Sequence, residues 1–147
     1  VIARQKGVEL NVFTLDAIPY GYTPILVGRE DVLNGIKTAI EAFLAATAKG
    51  YQFAAQHPQE SAAIVVDVAK HKGIELSNAI VEESAKELGG AFLTADGSWG
   101  TMETTRWEAF TTWLSTNGIV TDRAGKAVEV PAATTLFTNK YLQPSSS

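Results

Sequence analysis

Apolar residues recur at three- and four-residue steps from Leu33 through Ile36 and Ile40 to Phe43, Leu44, Thr47, Tyr51 and Ala54, while Lys37, Glu41, Lys49 and Gln52 fall on the other side. That period predicts a long amphipathic helix with one stripe against a core. His57-Pro58 then breaks the pattern. Pro58 suits the first position of a new helix because the N–H it lacks has no intrahelical partner there, His57 stands at the N-cap, and the charge of Glu60 favours the helix N-terminus. This second helix, Pro58 to Lys72, is dense in Ala62, Ala63, Ile64, Val65, Val66, Val68 and Ala69 and is expected to be well buried, with Gly73 as its stop. A third opens at Leu76-Ser77 and runs to Leu88, with Ile80, Val81 and Ala85 inward and Gly89-Gly90 ending it. A fourth, Thr101 to Asn117, carries Trp107, Phe110, Trp113 and Leu114 as an aromatic core stripe, closed by Asn117-Gly118.

Upstream the period changes. Val8 to Leu15 alternates with Val8, Leu10 and Val12 on one face, predicting a strand, and Thr23 to Arg29 reads as a second, with Pro24 near its start where a missing N–H is tolerated. Between them, Pro19 and Gly21 mark irregular backbone over Ala17 to Tyr22. Two strands do not make a sheet of ordinary stability, so these are expected to pair with residues outside this sequence or across an oligomer. Downstream, Asp122 to Lys126 is a polar turn, Pro131 to Phe137 a short last helix, and Ser145 to Ser147 an exposed tail.

Composition narrows the classes of function. The chain has 147 residues, 46% of them hydrophobic, which suffices for one domain or part of one. Its net charge of −4 comes without a basic block, so no footprint for nucleic acid or anionic lipid is present. Zero cysteines remove disulfides, thiolate metal sites and cysteine nucleophiles. Runs without charged residues, Ala42 to Ala48 among them, all stay below the roughly 20 apolar residues of a membrane span. Val1-Ile2-Ala3-Arg4 has neither an initiator Met nor a signal-type region, the expectation for a fragment, a processed product or a trimmed chain.

Candidates for chemistry are few. The two histidines, His57 and His71, sit 14 apart at a helix start and a helix end without carboxylates at ligand spacing, so no metal is expected. Glu82, Glu83, Lys86 and Glu87 read as a solvated helix face. Asp96-Gly97-Ser98-Trp99-Gly100 is a glycine-rich loop before a helix, but it lacks the lysine and the spacing of phosphate-binding loops and reads as a capped loop. Asp16 to Tyr22 is the better candidate. Tyr20 and Tyr22, separated by a glycine, offer flat surfaces with a hydroxyl at the tip for stacking on a planar ligand, and Asp16 can accept a hydrogen bond from an amino group. The same residues also read as hinge packing with Asp16 capping a turn. Trp99, outside the helical stripe, is the runner-up candidate for ligand contact, and reads foremost as a staple of its loop to the core.

Pro24 to Asp31 (PILVGRED), Ala42 to Ala63, and more loosely Trp99-Gly100-Thr101-Met102 and Asn139-Lys140-Tyr141-Leu142 together resemble the carboxy-terminal part of periplasmic-type substrate-binding proteins. The group in question includes nitrate, sulfonate and taurine binders, binders of pyrimidine precursors, and the fungal enzyme that makes the thiamine pyrimidine. The resemblance implies a helix-rich α/β chain, the last half of a two-lobed type II periplasmic-binding fold. In it, residues 1–22 would be the remnant of a second lobe with the crossing segment, and residues 23–147 the helix-rich part of the first lobe. It places Leu15 to Val27 at a crossing beside the ligand cleft. It further implies a small planar or anionic ligand such as a pyrimidine precursor or sulfonate, an extracytoplasmic setting, a missing amino-terminal half or partner chain, and delivery to a membrane ABC transporter.

The enzyme branch of that group departs from this chain. Those synthases carry a Cys-Cys-Cys-Phe-Cys cluster where Ile18-Pro19-Tyr20-Gly21-Tyr22 stands here, and the lysine that holds pyridoxal phosphate and its neighbouring histidine belong to an amino-terminal region outside this sequence. A cofactor-free binding module is therefore the expectation. A pyridoxal-phosphate-dependent synthase and a non-catalytic helical interaction domain are the alternatives.

Overall fold

A computed structural model describes residues 1–13, 18–19, 22 and 24–142. Its elements are α1 (Ile2–Gln5), α2 (Glu30–Gly35), α3 (Lys37–Gln56), α4 (Pro58–His71), α5 (Asn78–Gly89), α6 (Thr104–Thr116) and a 3-10 turn at Ala133–Thr135. The helix-rich expectation holds, and the breaks fall where the sequence sets them. α4 and α6 end in the same way: Gly73 (φ 73°) and Gly118 (φ 61°) take the left-handed conformation, and the next residue donates back five positions, Ile74 N–H to Ala69 C=O (2.9 Å) and Ile119 N–H to Leu114 C=O (3.0 Å). Glycine is favoured there because a Cβ is strained at positive φ.

Two expectations about helices need correction. The single long helix divides at Ile36, just after Gly35, into α2 and α3. His57 occupies the N-cap of α4 but makes no side-chain capping bond; its ring instead stacks on Phe53 at 4.8 Å.

The strand part of the α/β expectation finds no counterpart among the described residues. Among the described residues there is no strand, only an isolated antiparallel bridge between Thr121 and Ala127 that closes the Asp122–Lys126 turn. The described parts of the two expected strands, residues 8–13 and 24–29, carry no ladder. Phe13 is 92% exposed and Val27 85%. A β conformation is stable only when its N–H and C=O groups find a second strand, and alternation in one segment does not supply one.

The chain divides into two compact units. Unit 1 comprises Val1–Val12, Thr38–Gly100 and Leu142–Ser147. Within it α4 packs along α5, and the end of α5 lies close to α3, where a Cβ on Gly89 would stand 3.6 Å from Ala55 Cα. Ala62, at 1% exposure, is the buried point of α4. The expectation of a well-buried α4 fails because Ile64, Val65 and Val68 remain about half exposed. Likewise, no residue of α3 is fully buried, and the stripe from Ile40 to Ala54 is at most half-buried. Arg4 of α1 pairs with Glu83 (3.3 Å) and Glu87 of α5.

Unit 2 comprises Phe13–Lys37 and Thr101–Tyr141. α6 packs against the 3-10 turn, with Ala133, Tyr141 and Thr111 buried. Trp107 stacks on Phe137 at 5.8 Å with rings 7° apart. The Asn139 amide clasps Met102, donating to its C=O (2.8 Å) and accepting from its N–H (3.1 Å). Tyr141 Oη and Lys140 Nζ donate to Asn34 Oδ1 at 2.9 and 3.1 Å, which holds α2.

Candidate functional site

Asp16 and Tyr20 lie outside the described residues. Tyr22 and Trp99 are described, and they belong to different units.

In unit 2, α6 begins after Glu103, whose extended backbone (φ −108°, ψ 136°) turns the chain into the helix. Tyr22 Oη accepts the Glu103 N–H at 2.9 Å, taking up one of the donors a helix start leaves without an internal partner. The next turn brings Arg106 and Trp107 to the same ring. The Arg106 guanidinium carbon stands 4.5 Å from the Tyr22 ring centroid, and the Trp107 indole lies 6.4 Å away at a 38° tilt. A guanidinium over a tyrosine face is attracted by the ring quadrupole, by about 0.5–1 kcal/mol where water has access. Trp107 Nε1 is buried and has no hydrogen-bond partner among the described residues. A buried donor left without an acceptor costs about 1–3 kcal/mol.

In unit 1, Trp99 stacks on Tyr51 with centroids 5.1 Å apart and planes 18° apart, while Phe92 meets Tyr51 edge-on at 5.3 Å. The loop before it is built on Asp96, whose carboxylate accepts from Thr94 Oγ1, Ser98 N–H (3.1 Å) and Ser98 Oγ (3.0 Å). These bonds, led by that from Thr94, hold the Asp96 carboxyl below its ordinary pKa. The loop is thus capped by its own side chains. Glu82 is lowered by bonds from Lys86 and Gln59, and Lys86 is raised by Glu82; both are charges of a solvated helix face. No group of three metal-ligating side chains occurs among the described residues.

Arg106 has no place among the candidates read from the sequence, and Trp107 and Tyr51 stand there only as core residues. The signal available for Arg106 was a cation within the first helical turn, where the macrodipole disfavours it, beside an aromatic stripe. Its pairing with Tyr22 depends on contact between residues 84 positions apart, which no periodicity encodes.

No curated protein matches the chain. The family model described as NMT1/THI5 like matches residues 1–61, a span that takes in the PILVGRED segment, α2, α3 and the His57-Pro58 break, and so bears out the resemblance to the nitrate, sulfonate and thiamine-precursor group over that part of the chain.

Proposed function

We propose that the chain is a solute-binding module, and that it contributes the helix-rich part of a two-lobed periplasmic-binding-type fold. The observation that carries this reading is the family match over residues 1–61, since that family includes solute-binding proteins. In this reading, residues 1–22 belong to a second lobe with the crossing segment and residues 23–147 to the first. The solute is small and planar and bears an acceptor oxygen or an anionic group, as pyrimidine precursors and sulfonates do. Tyr22 is its contact, with Asp16 and Tyr20 from the same stretch; Trp99, in unit 1, forms no part of this site. The Arg106 guanidinium over the Tyr22 ring and the Trp107 N–H, without a partner among the described residues, support an acceptor-bearing ligand at this place. Delivery falls to a separate membrane transporter. Among the described residues no helix is long and apolar enough to cross a bilayer.

Thermal-shift and calorimetric titration with aminopyrimidines, taurine, nitrate and pyridoxal phosphate test the proposal. Binding of one of the first three classes is expected, and Arg106→Gln should weaken it about tenfold while shifting the melting temperature by no more than a degree or two. Absence of binding by all of them, or affinity unaffected by the substitution, would remove this site. Stabilisation by pyridoxal phosphate alone would favour the synthase instead.

A further inference from the structure

Three helices of unit 1 line an apolar cleft of about 490 Å³ that is open to solvent. Small residues keep it open: Gly50 and Ala54 from α3, Ser61 and Ala62 from α4, Ser84 and Ala85 from α5. Tyr51 and Phe92 supply an aromatic wall, and Val65, Val81 and Leu88 an aliphatic one. The Tyr51 ring is held in place before any ligand arrives, by stacked Trp99 and edge-on Phe92. Pre-set aromatic surface of this kind binds at little ordering cost.

Charge decides the class of occupant. None of the twelve lining residues is charged. The ionised side chains on the neighbouring positions of α5 are already committed, Lys86 to Glu82 at 2.8 Å and Glu83 and Glu87 to Arg4. Nothing in the cleft would compensate a charge for its lost hydration, and burying one unpaired is prohibitive. An uncharged occupant is the complement. Size argues the same way against a protein partner: the volume falls within the roughly 300–1,000 Å³ of small-molecule sites, while twelve lining residues are fewer than the roughly 20–30 a side of a standard protein interface.

We propose that this cleft is a binding site for an uncharged aromatic small molecule, held against Tyr51 and Phe92, with the hydroxyl-bearing residues of its lining being Thr47, Tyr51, Ser61 and Ser84. It belongs to unit 1, whereas Tyr22, Arg106 and Trp107 belong to unit 2, so it stands or falls independently of the solute reading above.

The test is titration of the whole chain with N-phenyl-1-naphthylamine, an uncharged fluorescent aromatic. Saturable binding of one probe per chain is expected. Ala54→Phe, which fills the cleft, and Ser84→Asp, which introduces a charge, should each weaken it about tenfold or more with helical circular dichroism retained, while Phe13→Lys leaves it unchanged. Where Ala54→Phe fails to fold, Ser84→Asp decides. Binding that does not saturate, or that survives Ser84→Asp, overturns the proposal. So does a concentration-dependent dimer, seen by sedimentation, that Ser84→Asp dissociates while no probe binds.

Discussion

A single side chain, Asn139, spans two stretches of unit 2 by answering both the N–H and the C=O of Met102, as a neighbouring strand would. Asn139→Ala leaves both partly buried groups unmade, and a loss of about 1–3 kcal/mol, read as a melting temperature lower by several degrees, is expected. A melting point within a degree of the parent would show that water replaces the clasp. Asp96 gives a prediction in pH. Its folded pKa is depressed by Thr94 and Ser98, so its contribution is fully present above the unfolded value, about 3.9, and is lost as pH falls through the lower folded value. Between pH 5 and 8 the loop should be insensitive, with Trp99 fluorescence changing only below pH 4; Asp96→Asn should abolish that acid transition. Neither bond network was legible in the sequence in full. Asp96 and Ser98 two residues apart announced a capped loop, whereas the Asn139–Met102 pair is 37 residues long-range and follows only from the fold.

At the scale of elements, stop signals proved more legible than faces. Pro58, Gly73, Gly89-Gly90 and Asn117-Gly118 work through local backbone sterics, so the sequence alone places them. Which side of α3 or α4 is buried depends on what packs there. Ile64, Val65 and Val68 have the right period but lie half exposed. The expected strands fail over their described parts, residues 8–13 and 24–29, for the same reason, since alternation specifies a face and not a partner. Capping separates signal from geometry again: Ser77 is at the N-cap of α5 with suitable extended dihedrals, yet its side chain makes no capping bond. Ser77→Ala should therefore change stability by well under the roughly 1 kcal/mol of a working cap, as urea denaturation would reveal. A loss of the full amount would mean that the hydroxyl caps in solution.

At the scale of the whole molecule, the described feature that most shapes behaviour is apolar surface left on segments outside the helices. Val12 (78%), Phe13 (92%) and Val27 (85%) face solvent without packing. Exposed apolar surface of this kind favours association. Val12→Lys and Val27→Lys together should raise the concentration at which the protein stays monodisperse in light scattering, with the melting temperature nearly unchanged because neither side chain is buried. A large drop in stability would show that these segments are packed in solution. The candidate site follows the same division of legibility. The sequence located Tyr22 by its irregular, glycine-flanked setting, but the cation above its ring and the donor beside it come from a helix 84 and 85 positions away.

The Asn139 clasp has a consequence for a severed chain. Arg123 and Lys126 sit in the exposed turn closed by the Thr121–Ala127 bridge, and trypsin can cut there. The peptides on either side would stay joined through the two Met102 bonds and the Trp107–Phe137 stack, both of which bridge the cut. A nicked protein should thus elute intact from a sizing column and come apart only in denaturant, whereas nicked Asn139→Ala should shed its carboxy-terminal piece. Where the backbone is interrupted, a side-chain amide takes over as the continuity of the unit.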